Sequence, residues 1–355
     1  MAQDIKTLYS RHVRRRFFIT IGLAILLGLA VVCSLQIGPF PLQFRHVAQI
    51  VSGKADTAVQ HVLVNIRLPR ALAALLAGGC LALAGVAMQN VLRNPLASPF
   101  TLGVSQGAAF GAAFAIIVLG AGDISATGPQ QPAVHSAYLV AGTAFFGSLV
   151  TVSALLILSA WRQLSPAALI LAGVALSSFF GAATMLLQYF ASDIQVAAAV
   201  FWTFGDLGKA GWRELAVMAL TLIPATAYFL WRRWHFNALL WGDDAAKSLG
   251  VSVYRLRLIS LVLAALIAAV TTAFLGIIGF VGLIAPHIVR MVMGQDHRFL
   301  LPCSLLAGGL LLLVSDALAR TVIAPVVLPV GILTSFAGVP LFLYLLARRA
   351  GGIAT

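Results

Sequence analysis

The sequence of 355 residues is 61% hydrophobic and 9% charged, with a mean hydropathy of +1.00; a soluble domain carries about 25% charged residues, so that class is excluded. Apolar runs of helical length, rather than alternating segments of about ten residues, argue against a β-barrel. The net charge of +13 would point to nucleic acid in a soluble protein, but in a membrane chain basic residues report sidedness first, and no nucleic-acid partner is expected.

Lys6, Arg11, Arg14, Arg15 and Arg16 precede the first apolar run, Phe17 to Leu35. This basic flank, residues 1–16, places the N-terminus in the cytoplasm, and the run is too long for the core of a signal peptide. A polar loop with Pro39, Pro41 and Gly53 then faces outside, before a span from Ala71 to Leu92 that carries no charge over 22 residues, roughly 33 Å of helix. Two prolines end it in Arg93-Asn94-Pro95-Leu96-Ala97-Ser98-Pro99, biasing Asn94 and Ser98 away from helix. Gly78, Gly79, Gly85, Gly103, Gly107 and Gly111 predict narrow faces for close helix packing.

The third span is predicted at 101–119 and the fourth at 136–160, joined to the fifth, 167–190, by a cytoplasmic turn at 161–166. Ser177, Ser178, Thr184 and Gln188 on the fifth need partners or a water-filled cavity at membrane depth, which makes them candidate pathway residues; serine and threonine also bond their own helix carbonyls, and the sequence leaves both readings open. After an external segment at 193–211 and a sixth span at 212–231 comes a polar interval, 232–255, with the run WGDDAAKSLGVSVYRLR. Asp243 or Asp244 is expected to cap a short helix over Ala245 to Leu249, and Gly250 to stop it. Such a helix outside the membrane is a surface for a partner. A seventh span at 256–273, a broken helix over 276–290, a turn at 294–298 and spans at 299–319 and 330–346 complete an all-α polytopic chain of about ten transmembrane helices. Both termini come out cytoplasmic, with sixteen of the twenty-three Lys and Arg on that side, as the positive-inside rule requires.

None of the four lysines, Lys6, Lys54, Lys209 and Lys247, fits a phosphate-binding GxxxxGK[ST] loop, so ATP energy would have to come from another polypeptide. Apart from Glu214, two residues into the sixth span, Asp316 is the one acid within a predicted span, and Arg320 sits four residues on, an internal ion pair; an ion- or proton-coupled carrier is therefore the weaker alternative. Seven histidines and three cysteines show no metal-ligand spacing, and no catalytic residue is assigned. Arg67, Arg70 and Arg320 fall at the external membrane face, where they are interfacial anchors or an electrostatic docking surface for a delivery protein.

The segments RLPR, LAG, Gln89, RNPLASP, LGVSQGAAFGA, IGFVGLIAPHIVR and GQDHRFLLP resemble the FecCD family, the membrane permeases of type II ABC importers for siderophores, haem, cobalamin and related chelates. The resemblance covers about residues 67–349. It implies a single permease domain over 1–355 in the cell (inner) membrane, surrounded by lipid and paired with a second copy of itself as a homodimer. It also implies two ATPase subunits that carry ATP and Mg, a solute-binding protein, no cofactor in this chain and no covalent chemistry. By the same resemblance Asp243, Asp244, Ala245, Ala246, Lys247, Ser248, Leu249 and Gly250 match the coupling helix that docks on the ATPase. Asn94 and Leu96, with Gln163, Leu164 and Ser165, match turns that close the inner end of the path. Ferric siderophore is the cargo it favours, with haem or cobalamin as alternatives. Two departures stand out: Trp241 replaces a common leucine, and Ala324-Pro325-Val326-Val327-Leu328-Pro329 lacks the glutamate often found there.

Overall fold

The computed structural model describes residues 2–38, 56–121, 136–162 and 165–351. Among these residues the chain is helical apart from turns and one isolated parallel bridge between Phe204 and Ile277. The helices are α1 (Ala2–Gln36), α2 (Leu68–Val91), α3 (Val104–Ile117), α4 (Ala137–Arg162), α5 (Pro166–Tyr189), α6 (Asp193–Thr203), α7 (Trp212–Trp231), α8 (Arg233–Leu239), α9 (Asp243–Ser248), α10 (Val253–Leu275), α11 (Val281–Met293), α12 (His297–Ala319) and α13 (Val330–Gly351). Seven helical runs are long and apolar enough to span a membrane, and α3, α11 and the apolar part of α13 are shorter apolar helices, together the ten that the sequence predicts.

The bundle is built around α2. Helical turns at Thr57–His61 and a π-turn at Val62–Arg67 lead into it, and 83% of its most apolar window is buried, against 11% for α1 and 17% for α5. Small residues explain that position: a Cβ added to Gly78 would overlap the backbone of Gly308 on α12, and one on Gly85 would overlap Gly282 on α11. Only glycine allows backbones this close. The same device joins α3 to α4, where Gly107 and Gly147 face each other. Alanine fills the rest of the seam, with Ala73, Ala74, Ala77, Ala82 and Ala84 inaccessible to solvent.

α2 ends in a Schellman arrangement, with Arg93 N–H donating to Asn90 O at 3.0 Å and Asn94 N–H to Gln89 O at 3.1 Å. This puts Arg93 at φ +49°, a left-handed position normally given to glycine. The third helix begins three residues later than predicted, because Thr101 Oγ1 accepts from Ser98 N at 2.9 Å and also donates to Ser98 O at 2.9 Å. Those side-chain bonds hold a turn that competes with helix.

Candidate coupling and transport sites

The polar interval forms α8, a turn at 240–242 and α9. The end of α9 matches the sequence expectation: Gly250 stands at φ +80°, with Gly250 N–H donating to Lys247 O at 2.9 Å and Val251 N–H to Ala246 O at 3.0 Å, which closes the last turn. Its start does not match, since Gly242 occupies the cap position and makes no side-chain bond. Asp243 is instead held by Arg257 of α10, whose Nη2 lies 3.0 and 3.2 Å from its two carboxylate oxygens. A guanidinium offers the carboxylate a full counter-charge as well as a donor, which a single cap amide does not. Asp244 pairs with Lys247 at 3.2 Å on the open side, and Ser248 Oγ donates to Asp244 O at 3.0 Å. Ala246 is buried, Ala245 is half-buried, and Leu249 is 70% exposed and Trp241 82% exposed. Two large apolar side chains, one on either side of a short helix that is itself fixed to the bundle, are therefore open to a partner.

Arg257 also donates its Nε–H to Val91 O at 2.8 Å. Val91 is the last residue of α2, so one guanidinium connects the first turn of α9 to the end of the helix that precedes the Arg93 to Pro99 break. Within that break Asn94 Oδ1 accepts from Leu96 N at 2.8 Å, a local turn that projects Leu96 into the open. Asn94 lines a cavity of about 250 Å³ with Gln89, Asn90, Arg290, Gln295 and His297. Ser165 caps α5, accepting from Ala168 N at 3.3 Å, and lines a different cleft of about 700 Å³ beside Asp243, Lys247 and Arg257. Thus a single chain puts Asn94 and Ser165 in separate cavities; Gln163 and Leu164, the other two expected gate residues, lie outside the described residues.

On α5 the hydroxyls of Ser177, Ser178 and Thr184 donate to Gly173 O, Val174 O and Phe180 O at 2.8, 3.1 and 2.8 Å. Their bonding is thus met within their own helix, while Gln188 is half-buried near the helix end. Ser178 shares an exposed face with Leu171 and Met185, each 70% exposed, at seven-residue spacing.

The three arginines expected at an outer docking surface are turned into the bundle. Arg67 and Arg320 are buried; Arg67 donates to Leu35 O at 2.7 Å, and Arg320 donates to Ser34 Oγ at 2.8 Å and to Ile37 O. Arg70 donates to Asp316 at 2.8 Å and pairs with Asp206 at 3.2 Å, while Arg320 pairs with Asp316 at 2.9 Å. The predicted pair between Asp316 and Arg320 is present, but within a larger network that ties the end of α1, the start of α2, residue 206 and α12. Position at the end of a span does not tell whether a side chain meets water or a neighbouring helix, and here all three guanidiniums bond to neighbours within the chain.

The FecCD transport family model matches residues 26–348 of the chain. The chain belongs to this family. It is 51% identical over 345 residues to a putative ABC transporter permease protein of Methanocaldococcus jannaschii, covering 97% of this chain and 98% of that one. It is 38% identical to the hemin transport system permease protein of Yersinia pestis, over 92% and 94% of the two chains. Among solved structures it is similar to an inward-facing putative metal-chelate type ABC transporter, with a TM-score of 0.81 at 33% identity over 93% of this chain and 99% of that one. The FecCD chain is thus a multi-pass membrane permease of the ABC type.

Two features of this FecCD permease escape sequence reasoning. One is Arg257, whose backbone acceptor 166 residues away leaves no mark in composition. The other is a polar latch under the bundle: Asn237 of α8 donates to Asp296 at 3.0 Å and accepts from His297 N at 2.8 Å, while Arg298 clasps Asp296 at 2.6 Å and Arg16 of α1 approaches it to 3.7 Å. Partial burial raises the Asp296 carboxyl, but the bonds from Arg298 and Asn237 outweigh it and bring the group down to about 2. An unfolded aspartate titrates near 3.9, so the carboxylate form is favoured by folding. Its contribution is complete above about pH 4 and is lost as pH falls through about 2. Thermal melts in detergent are expected to show an acid limb in that window, and Asp296→Asn should remove this limb while lowering stability at neutral pH; an unchanged limb would refute the latch.

Proposed function

We propose that this chain is the membrane permease of an ATP-driven importer that passes a metal chelate from a solute-binding protein to the cytoplasm by alternating access. The observation that carries the reading is the coupling segment: α9 exposes Leu249 and is wired through Asp243 and Arg257 to the end of α2. A push from an ATPase on α9 would reach the central helix through a charge-assisted pair rather than through a flexible loop. The cytoplasmic side is assigned by its excess of Lys and Arg. Two ATPase subunits would carry ATP and Mg, and this chain no cofactor.

The uncovered face of α5 supports pairing with a second copy, which would set Ser178 and its neighbours Ser177, Thr184 and Gln188 beside a path between the two chains. Asn94, Leu96 and residues 163–165 would close the inner end of that path across the pair rather than within one chain. Relatives named for hemin, Fe(3+)-citrate and vitamin B12 frame the cargo as a chelate, with ferric siderophore, haem and cobalamin as the compounds to assay.

Reconstitution with the ATPase and binding protein tests this. Uptake of the labelled chelate is expected only with ATP on the ATPase side; uptake driven by an ion gradient without the ATPase would overturn the proposal. Leu249→Asp is expected to lower ATP-coupled uptake about tenfold or more, the effect of losing an apolar anchor of an interface, while thermal stability and binding-protein association stay unchanged. Normal transport in that variant would remove the coupling assignment.

A further inference from the structure

At the foot of α7 and α10 lies a cavity of about 310 Å³ that the transport reading does not use. It is lined by Tyr228, Arg232, His235, Ser252, Arg255 and Ile259, among others, with no carboxylate in its lining. Neither Arg232 nor Arg255 has an ion pair among the described residues. Two basic side chains facing one cavity without a counter-charge repel each other, and the arrangement lacks an anion.

Hydrogen bonding points the same way. Arg232 Nη1 lies 3.3 Å from His235 Nε2. A guanidinium can only donate, so Nε2 accepts and the ring proton sits on Nδ1. Burial and the neighbouring Arg232 charge push the His235 imidazole below its usual range, in keeping with a neutral ring. His235 Nδ1–H and Arg232 Nε–H are then both buried donors with no acceptor among the described residues, which is costly unless something supplies one. The N-terminus of α10 adds to this: Ser252 holds the cap position but its side chain makes no cap bond, leaving first-turn amides of a 23-residue helix without a side-chain acceptor.

The surroundings identify the kind of anion. The Arg232 guanidinium stacks on Trp231 at 4.2 Å, and Trp231 and the nearby Trp234, which meets Arg298, are 69% and 56% exposed. Exposed tryptophans mark the membrane–water boundary. Along α10, Ile259 and Val262 follow Arg255 at four and seven residues and are exposed, an apolar track from the cavity into the hydrocarbon. An acidic side chain of a soluble partner would have no use for that track, whereas an acyl chain would.

We propose that this cavity binds the phosphate of an anionic membrane lipid, with Arg232, Arg255 and the start of α10 on the headgroup and Ile259 and Val262 along an acyl chain. Basic pockets between membrane helices on the cytoplasmic side take such headgroups. The site braces the turn at 250–252 that follows α9, so the lipid would steady the segment on which coupling depends.

Native mass spectrometry of the full chain in mixed micelles of phosphatidylglycerol and phosphatidylcholine tests this. The wild type is expected to retain phosphatidylglycerol over phosphatidylcholine, and Arg232→Gln with Arg255→Gln to retain it about tenfold less. Arg232→Lys with Arg255→Lys should keep most of the retention, which separates loss of charge from loss of fold. Thermal protection of the wild type by phosphatidylglycerol but not phosphatidylcholine gives a reading that needs no variant. Equal retention of both lipids, or unchanged retention in the glutamine variant, overturns the proposal. If inorganic phosphate in lipid-free micelles protects as well as phosphatidylglycerol, the site is one for a free anion and the lipid assignment falls. If the glutamine variant loses ATPase association while retaining lipid, the cavity receives a protein carboxylate instead, and the proposal is equally overturned.

Discussion

Asp316→Asn is expected to lower the stability of the purified protein by about 3 to 5 kcal/mol, the range measured when one partner of a buried ion pair is removed. Asp316 is fully buried and holds two cations at once, Arg70 at 2.8 Å and Arg320 at 2.9 Å. Asparagine preserves its shape and one acceptor oxygen, so the loss would be one of charge rather than of volume. Arg70 keeps Asp206 at 3.2 Å, but Arg320 keeps only neutral acceptors, among them Ser34, Ile37 and the backbone carbonyl of residue 316. A buried guanidinium cannot shed its proton to relieve this. Thermal unfolding in detergent, followed by tryptophan fluorescence, is the measurement, and a melting temperature equal to that of the wild type would show that the network carries no stability. The companion experiment separates the two roles considered for the arginines. Arg67→Glu with Arg70→Glu weakens binding-protein association in a salt-sensitive way if they dock, whereas the network predicts that it lowers stability whether or not the partner is present.

What could be read from the sequence was set by how local each interaction is. Span number followed from uninterrupted apolar length, and the α2 seam from glycines at Gly78 and Gly85, because both signals are carried by neighbours in the chain. Asp316 and Arg320 were legible as a pair for the same reason, being one helical turn apart. Arg70 reaches the same carboxylate across 246 positions, and nothing local marks that. The capping role expected of Asp243 failed because a distant guanidinium offered a full counter-charge that the nearby amides do not. Leu249 and Gly250 sit in the segment that the sequence marked, yet the connection that gives this segment mechanical meaning runs through a backbone carbonyl, Val91 O, and a carbonyl has no letter in the sequence.

Gly85→Ala is the other change of large expected effect, about 3 kcal/mol or more, at the upper end of overpacking costs. The reason lies in a proline on the facing helix. Pro286 lies inside α11 and has no N–H, so it cannot bond the carbonyl four residues earlier, which is that of Gly282. That buried oxygen would be orphaned if Gln89 of α2 did not donate its Nε2–H to it at 3.2 Å. Gln89 reaches it because Gly85, one turn earlier on the same face, lets the two backbones meet. A Cβ at Gly85 overlaps the Gly282 oxygen itself; a backbone atom cannot rotate aside, so α11 must move away and the Gln89 bond is lost with it. Gly28→Ala on α1, where an added Cβ meets nothing within 4 Å, is the matched control and should gain about 0.5 to 1 kcal/mol from helix propensity. The contrast between the two melting temperatures is the test, and equal behaviour would refute the close packing of α2 on α11. Gln89→Leu should lie between them, at about 1 to 3 kcal/mol, since it orphans the Gly282 carbonyl without forcing the helices apart. Because Gln89 is two residues from Val91, the same contact fixes the register that brings Val91 O to Arg257, so uptake by Gly85→Ala is expected to fall even at temperatures where the variant remains folded.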